Sequence, residues 1–297
     1  MNFIAMVIAL LIERLLGDRE RGREWDWFAR YVRWVHDSMP TTGSWSGTLT
    51  VLVLVGVPSA VTGLVYALLG GALLSLLALV FSVAVLVYCL GPRELDAETT
   101  RYINAVESGD DARADQLAHA IGGDVMPAGG AARNRALAEA VLLEFNDRTF
   151  GLLVWFVLLG PLGAVMYRLS SLARRDVQGG SQDAGYTDAV LRLHGILNWV
   201  PARLLALGYA LAGSFEEAIT DWRAYGERKS DLFWQGNLDL IAATGRGALR
   251  MSDAREADDG SNAAGLGVVR SALALILRTL VLWVVLFGLL TIAGFAI

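Results

Sequence analysis

The residues of this chain that have the means to do chemistry sit where polar sequence meets apolar sequence. Glu13 and Arg14 close the first apolar run, Asn146-Asp147-Arg148 stands just before a longer one, and Tyr167-Arg168 stands just after it. His194, Asn198 and Arg203 punctuate an amphipathic stretch around Pro201. Ionisable groups at membrane depth are costly unless paired or solvated, so they are functional candidates by default. The chemistry they suit is holding an anion. Guanidinium groups bring charge and forked donors, and Asn and Tyr add neutral hydrogen bonds. Arg168 and Arg203 are the pair expected to hold a small anionic ligand. A plainer role competes: Arg at the end of a span commonly snorkels to the interface, and Glu13 can simply pair with Arg14.

Other chemistries find no support. His36, His119 and His194 lack metal-ligand spacing, so no metal site is expected. The Gly-rich region 122–130 is not followed by Gly-Lys-Ser/Thr, so it is a loop rather than a phosphate cradle. No Gly-x-Ser-x-Gly elbow is present. The residues alone name no cofactor. A net charge of −5, with Arg spread among acids, argues against a nucleic-acid partner. The single cysteine, Cys89, lies in an apolar block and gives no disulfide framework.

The elements that must position these residues follow from the hydropathy pattern. Hydrophobic residues make up 55% of the 297, above the usual range of a soluble domain. They come in blocks, with charge concentrated in 13–37, 93–148, 168–192 and 214–258 and, outside these, only Arg203, Asp259, Arg270 and Arg278. A bilayer imposes that alternation. The expected fold class is therefore all-α, a polytopic helical membrane protein over 1–297 as one membrane domain. Thr48 to Leu90 is 43 uncharged residues, enough for two spans near 48–69 and 72–90 with a turn at Gly70-Gly71. Residues 150–168 read as a third span and 270–296 as the last. The run 3–16 is short for a crossing, and 190–212 has one apolar face but carries Arg192, His194, Asn198 and Arg203. Segments 93–149 and 214–258 read as polar helices, and 173–187 as a Gly/Ser/Asp-rich loop. Within the first polar segment, Glu144 and Arg148 are four apart in the favourable order for a helical pair. The Trp residues near span ends suit interfacial anchoring. If 190–212 crosses, segments 17–47, 93–149 and 214–270 share one side and hold most of the Arg and Lys, which makes that side cytoplasmic.

Three stretches carry a resemblance. They are Ile12-Glu13-Arg14-Leu15, Leu90-Gly91-Pro92-Arg93, and Asn146-Asp147-Arg148-Thr149-Phe150 running into Phe156-Val157-Leu158-Leu159-Gly160-Pro161-Leu162-Gly163-Ala164 with Tyr167-Arg168. In these the chain resembles the AmpE family, inner-membrane proteins named as signalling modulators of β-lactamase induction. That family is in turn similar to the CobD/CbiB family, membrane enzymes that join adenosylcobyric acid to an aminopropanol through an amide, using ATP. The pieces shared with the enzymes are Gly-Pro-Leu-Gly-Ala with Tyr-Arg, and Asn198-Trp199-Val200-Pro201-Ala202-Arg203, which matches their Asn-x-x-Pro-Ala-Arg element. Asn146 matches the Asn of their Glu-Asn pair, but Phe145 precedes it here.

The departures are several. Leu169-Ser170-Ser171-Leu172-Ala173-Arg174 stands where the enzymes have Asn-Thr-Leu-Asp-Ser/Ala-Met, and Arg192-Leu193-His194-Gly195 where they have Arg-Leu-Asp-Asp. Gly17-Asp18-Arg19 stands at their Gly-Asp-Pro, and their His-Pro is absent. An ATP-dependent ligase needs carboxylates to hold Mg²⁺ against phosphates, and the loss of several aspartates argues against that activity. The reading that follows is a regulator in the bacterial inner membrane, linked to β-lactamase induction and cell-wall stress. It would bind a small anionic ligand such as a cell-wall fragment, with a membrane-protein partner or a second copy of itself. The alternative is a membrane-bound ATP-dependent amide-forming enzyme, for which Asp147, Asp176, Asp183 and Asp188 are the nearby aspartates.

Overall fold

The computed structural model describes residues 2–16, 26–38, 46–70, 75–90, 94–123, 126–180, 183–227, 233–251 and 265–293. Every element among them is helical. They are α1 (Asn2–Leu16), α2 (Asp26–Ser38), α3 (Ser46–Leu69), α4 (Ser75–Leu90), α5 (Glu94–Glu107), α6 (Asp111–Gly122) and α7 (Gly130–Phe145). A π-helical turn (Asn146–Phe150) follows, then α8 (Gly151–Leu159), α9 (Pro161–Gly179), α10 (Ala184–Ala212), α11 (Phe215–Glu227), α12 (Phe233–Ala248) and α13 (Leu266–Ile292). The helices long and apolar enough to cross a membrane are Gly47–Leu69, the one that begins at Ser75, Ala184–Ala212 and Leu266–Ile292. The chain is thus a multi-pass helical membrane protein, and its solvent is a lipid bilayer. Packing divides it into two compact units, Met1–Pro92 with Gly151–Trp199 and Phe287–Ile297, and Arg93–Phe150 with Val200–Leu286.

In the first unit α3 and α4 show their large apolar residues to the outside, among them Leu49, Leu52, Leu64, Leu68, Leu76 and Val80. Without charge to satisfy, such faces belong in lipid. Helix α2 is amphipathic. Its Phe28, Val32 and Val35 recur at helical spacing and bury against Val51, Leu54 and Val55 of α3, Leu169, Ala173 and Val177 of α9, and Tyr186 and Val190 of α10. That core also explains why 173–187 is not the loop its composition suggests. Helix α9 continues to Gly179 because Ala173 and Val177 have somewhere apolar to go.

The segment 150–168 is not a span. It breaks at Gly160, where φ is +64°, and Pro161 opens a new helix at its first position. The two helices run back along each other. A Cβ on Gly151 would strike the Tyr167 ring, and one on Gly163 would strike the Trp155 carbonyl. Nine residues of α8 rise only about 14 Å, against the roughly 30 Å of a hydrocarbon core. The crossing that composition assigned to 150–168 passes instead to α10. Because one crossing doubles back, the grouping of 17–47, 93–149 and 214–270 on one side no longer follows.

Helix α10 tolerates its internal proline through a specific replacement. Pro201 has no N–H, so the Leu197 carbonyl loses its helical donor. The Trp155 indole supplies it at 2.8 Å.

In the second unit, α5 and α6 are separated at Gly109, whose φ is +76°. Asp110 caps α6 by accepting from the Arg113 N–H at 3.0 Å. Arg133 of α7 is buried and donates to Asp115 at 2.5 Å and to the Tyr102 hydroxyl at 3.1 Å. Where α7 ends, the Asn146 N–H turns to the Leu143 carbonyl. The Leu142 carbonyl receives the Tyr209 hydroxyl instead, at 2.9 Å. Gly245 of α12 lies against Leu142, and Arg246 pairs with Glu139 at 2.9 Å.

Candidate functional site

The first unit contains a buried polar layer between α9 and α10. Tyr167 and Asn198 are buried, and the Tyr167 hydroxyl donates to Asn198 Oδ1 at 3.2 Å. Ser170 lies one turn on from Tyr167 and donates to its carbonyl at 2.7 Å. Ser170 Oγ is also 3.2 Å from Nδ1 of buried His194. A serine has one proton to give. With that proton on the Tyr167 carbonyl, Oγ accepts from His194, and Nδ1 is the protonated nitrogen. The Tyr167 and His194 rings lie 5.6 Å apart. His194 and Asn198 share a face of α10 because they are four residues apart. Arg168, also buried, follows Tyr167 on α9. Glycine at 151 permits this arrangement, since any side chain there would occupy the place of the Tyr167 ring.

The second unit holds three further groups. In the π-helical turn, Asn146 Nδ2 donates to Asp147 Oδ1 at 2.9 Å, and both residues are buried. Such turns recur at functional sites because they rotate side chains out of α-helical register. Arg148 is held between two carboxylates, Glu144 at 2.6 Å and Glu98 at 3.1 Å. Burial opposes the charge on its guanidinium, and the two carboxylates outweigh it and raise its pKa. The pair expected from spacing at Glu144 and Arg148 is present, with Glu98 as a partner that spacing did not reveal. Arg203 donates to Asn237 Oδ1 at 3.2 Å, and Asn237 is buried. On the helix before it, Tyr225 donates to the Gly236 carbonyl at 2.6 Å.

The expected site residues are therefore distributed. Tyr167, His194 and Asn198 are joined in one layer; Asn146 with Asp147, Arg148, and Arg203 have separate local partners. Glu13 is half-buried on α1. The side chain of Arg14 lies outside the described residues, as do Gly17-Asp18-Arg19 and Gly91-Pro92-Arg93. The four aspartates differ in setting. Asp176 and Asp183 are exposed, Asp188 pairs with Arg192 at 2.8 Å on the surface, and only Asp147 is buried. Among the described residues no three His, Cys, Asp or Glu side chains are placed to hold a metal ion. Ser170, Asn237 and Glu98 were missed. Ser170 was the one with a signal, being three residues from Tyr167 on the same helical face.

A helical membrane protein with an internal hydrogen-bonded polar layer is the class that fold and site define. The family model described as CobD/Cbib protein matches residues 6–280. The chain belongs to the CobD/CbiB family. It is 31% identical over 252 residues to the cobalamin biosynthesis protein CobD of Chromobacterium violaceum, covering 82% of this chain and 79% of that one. It is 29% identical over 255 residues to the protein of that name from Stutzerimonas stutzeri, covering 83% and 80%. No solved structure matches. These relatives overturn the expectation of a regulator of β-lactamase induction and cell-wall stress, because they are named for cobalamin biosynthesis. The family match spans 169–174 and 192–195, where this chain lacks the aspartates that the resemblance implies.

Proposed function

We propose that this chain is an inner-membrane enzyme of cobalamin biosynthesis that forms an amide between a corrinoid carboxyl group and an amino alcohol, using ATP. The observation that carries the reading is the buried layer of Tyr167, Ser170, His194 and Asn198 between α9 and α10. The family match supports it. Amide formation from an activated carboxyl asks for two things: donors for the oxygen that gains charge, and a group that takes the proton from the attacking amine. Asn198 accepts the Tyr167 proton on Oδ1, and the donors of its side chain are the amide N–H groups. His194 with its proton on Nδ1 has its basic nitrogen at Nε2, suited to the amine proton. It stands where the resemblance places an aspartate, and both residue types can do that work. Arg168 beside Tyr167 supplies positive charge for an anionic substrate.

The test is thermal stability of the detergent-purified protein with Mg-ATP and cobyric acid together, and separately with an anhydromuropeptide. Binding at a hundredfold excess over Kd stabilises by about 2.7 kcal/mol, so an upward shift in Tm of several degrees is expected with Mg-ATP and the corrinoid. Tyr167→Phe and Asn198→Ala are expected to reduce that shift while the unliganded proteins remain folded. Stabilisation by the muropeptide alone would count against the enzyme and in favour of a wall-fragment binder.

A further inference from the structure

A groove of about 330 Å³ runs along the first unit, bounded by α2, α3, α4 and α9. One end is marked by Trp27, whose indole donates to the Tyr88 hydroxyl at 2.7 Å in an exposed pair. The other end reaches Thr62 and Phe81, with Leu169 among the residues of the wall. Phe81 and Tyr88 are seven residues apart on one helix, which separates the ends by about 10 Å. Helix α2 packs on Val51, Leu54 and Val55, close to the start of α3. The Trp27 end therefore lies at the start of α3 and the end of α4, and the Phe81 end lies deeper along both.

The polar groups of the groove are occupied. Thr62 gives its proton to the Pro58 carbonyl at 2.9 Å, and Trp27 gives its own to Tyr88. Nothing in the lining asks for a polar ligand. Of these walls, α3 and α4 turn apolar outer faces to lipid, so acyl chain is the medium that reaches the groove. At the mouth the chemistry changes. Trp27, Tyr31 and Trp34 line one side of α2, with Tyr31 and Trp34 stacked at 6.0 Å, and Arg30 is exposed one turn on from Trp27. Indole and phenol rings mark the headgroup level of a bilayer, and arginine there meets phosphate.

We propose that this groove binds one anionic phospholipid, with an acyl chain between Trp27 and Phe81 and its phosphate at Arg30. The proposal stands apart from the amide-forming reading and uses none of the residues of the Tyr167–His194 layer. It is tested by extracting and quantifying, by mass spectrometry, the phospholipid retained by the detergent-purified full chain after exhaustive detergent exchange. One anionic phospholipid per chain is expected. Ala84→Leu, at an exposed position of the groove wall, is expected to lower retention several-fold at unchanged helicity and Tm. Arg30→Gln is expected to remove the preference for anionic over zwitterionic lipid. Equal retention by Ala84→Leu and the parent chain, no retained lipid in the parent, or an anionic preference that survives Arg30→Gln would each overturn the proposal.

Discussion

Gly163→Leu is expected to abolish the folded protein, with a larger effect than any other single glycine substitution in the α8–α9 hairpin. A Cβ at 163 meets the carbonyl carbon and oxygen of Trp155, and backbone does not move aside as a side-chain tip would. Overpacking typically costs about 1–3 kcal/mol even where side chains can yield, so a loss above about 3 kcal/mol is expected here. Gly163→Ala should fall short of that but in the same direction. Gly160→Ala should cost about 1–3 kcal/mol, since its φ of +64° with ψ of −150° is a conformation kept for glycine. Gly267→Leu is the control, because a Cβ there meets nothing within 4 Å. Size-exclusion profiles and melting curves of fluorescent-protein fusions in detergent report the outcome. If Gly163→Leu elutes and melts like Gly267→Leu, α8 and α9 do not form a hairpin.

Arg133→Ala should be the most damaging substitution in the second unit outside its glycines. The guanidinium donates to Asp115 at 2.5 Å, to Asp111 at 3.4 Å and to the Tyr102 hydroxyl at 3.1 Å. Tyr102 in turn donates to Asn134 at 2.5 Å. Burial works against the charge on Arg133, and the Asp115 and Tyr102 contacts outweigh it and raise its pKa. Truncation leaves a void and strips the Tyr102 hydroxyl of the donor it accepts from, for an expected loss of about 3 kcal/mol. The partner carboxylates behave differently. Asp115 is 45% exposed and Asp111 63%, so water can replace the arginine for either of them. Asp111→Asn is therefore expected to cost no more than about 1 kcal/mol, since Arg133 keeps Asp115 and Tyr102. Thermal melts of the two variants should separate by several degrees, and equal Tm values would contradict a buried arginine knot.

The sequence was most informative where composition alone decides the structure. The uncharged run 48–90 specifies two apolar helices because no other element can bury so many apolar residues in a row, and α3 and α4 occupy it. The Glu144–Arg148 pair was legible because it depends only on helical spacing. The hairpin at Gly160 was not, because hydropathy sums over a window and cannot register a reversal inside it. Small residues such as Gly163 allow close approach, and here the close approach is of the segment to itself. Helix α10 was undervalued for the opposite reason. His194 and Asn198 lower its hydropathy, yet both are buried with hydrogen-bond partners, so their polarity is met inside the protein. The candidate layer was half legible. Tyr167, His194 and Asn198 carry distinctive chemistry at the ends of apolar runs, whereas Ser170 is ordinary in sequence and acquires its role only when α9 and α10 pack. Asn237 had no signal at all, lying in a helix read only as polar.

The claim that this chain forms an amide in cobalamin biosynthesis is tested most directly in a cobalamin-producing bacterium that lacks its own family member and grows only when supplied with a later corrinoid intermediate. Expression of the full chain there is predicted to restore growth on cobyric acid, and Asn198→Ala, present in the membrane at equal level, is predicted not to. Failure of the unaltered chain to support growth, with the protein demonstrably folded in the membrane and cobyric acid entering the cell, would contradict the account.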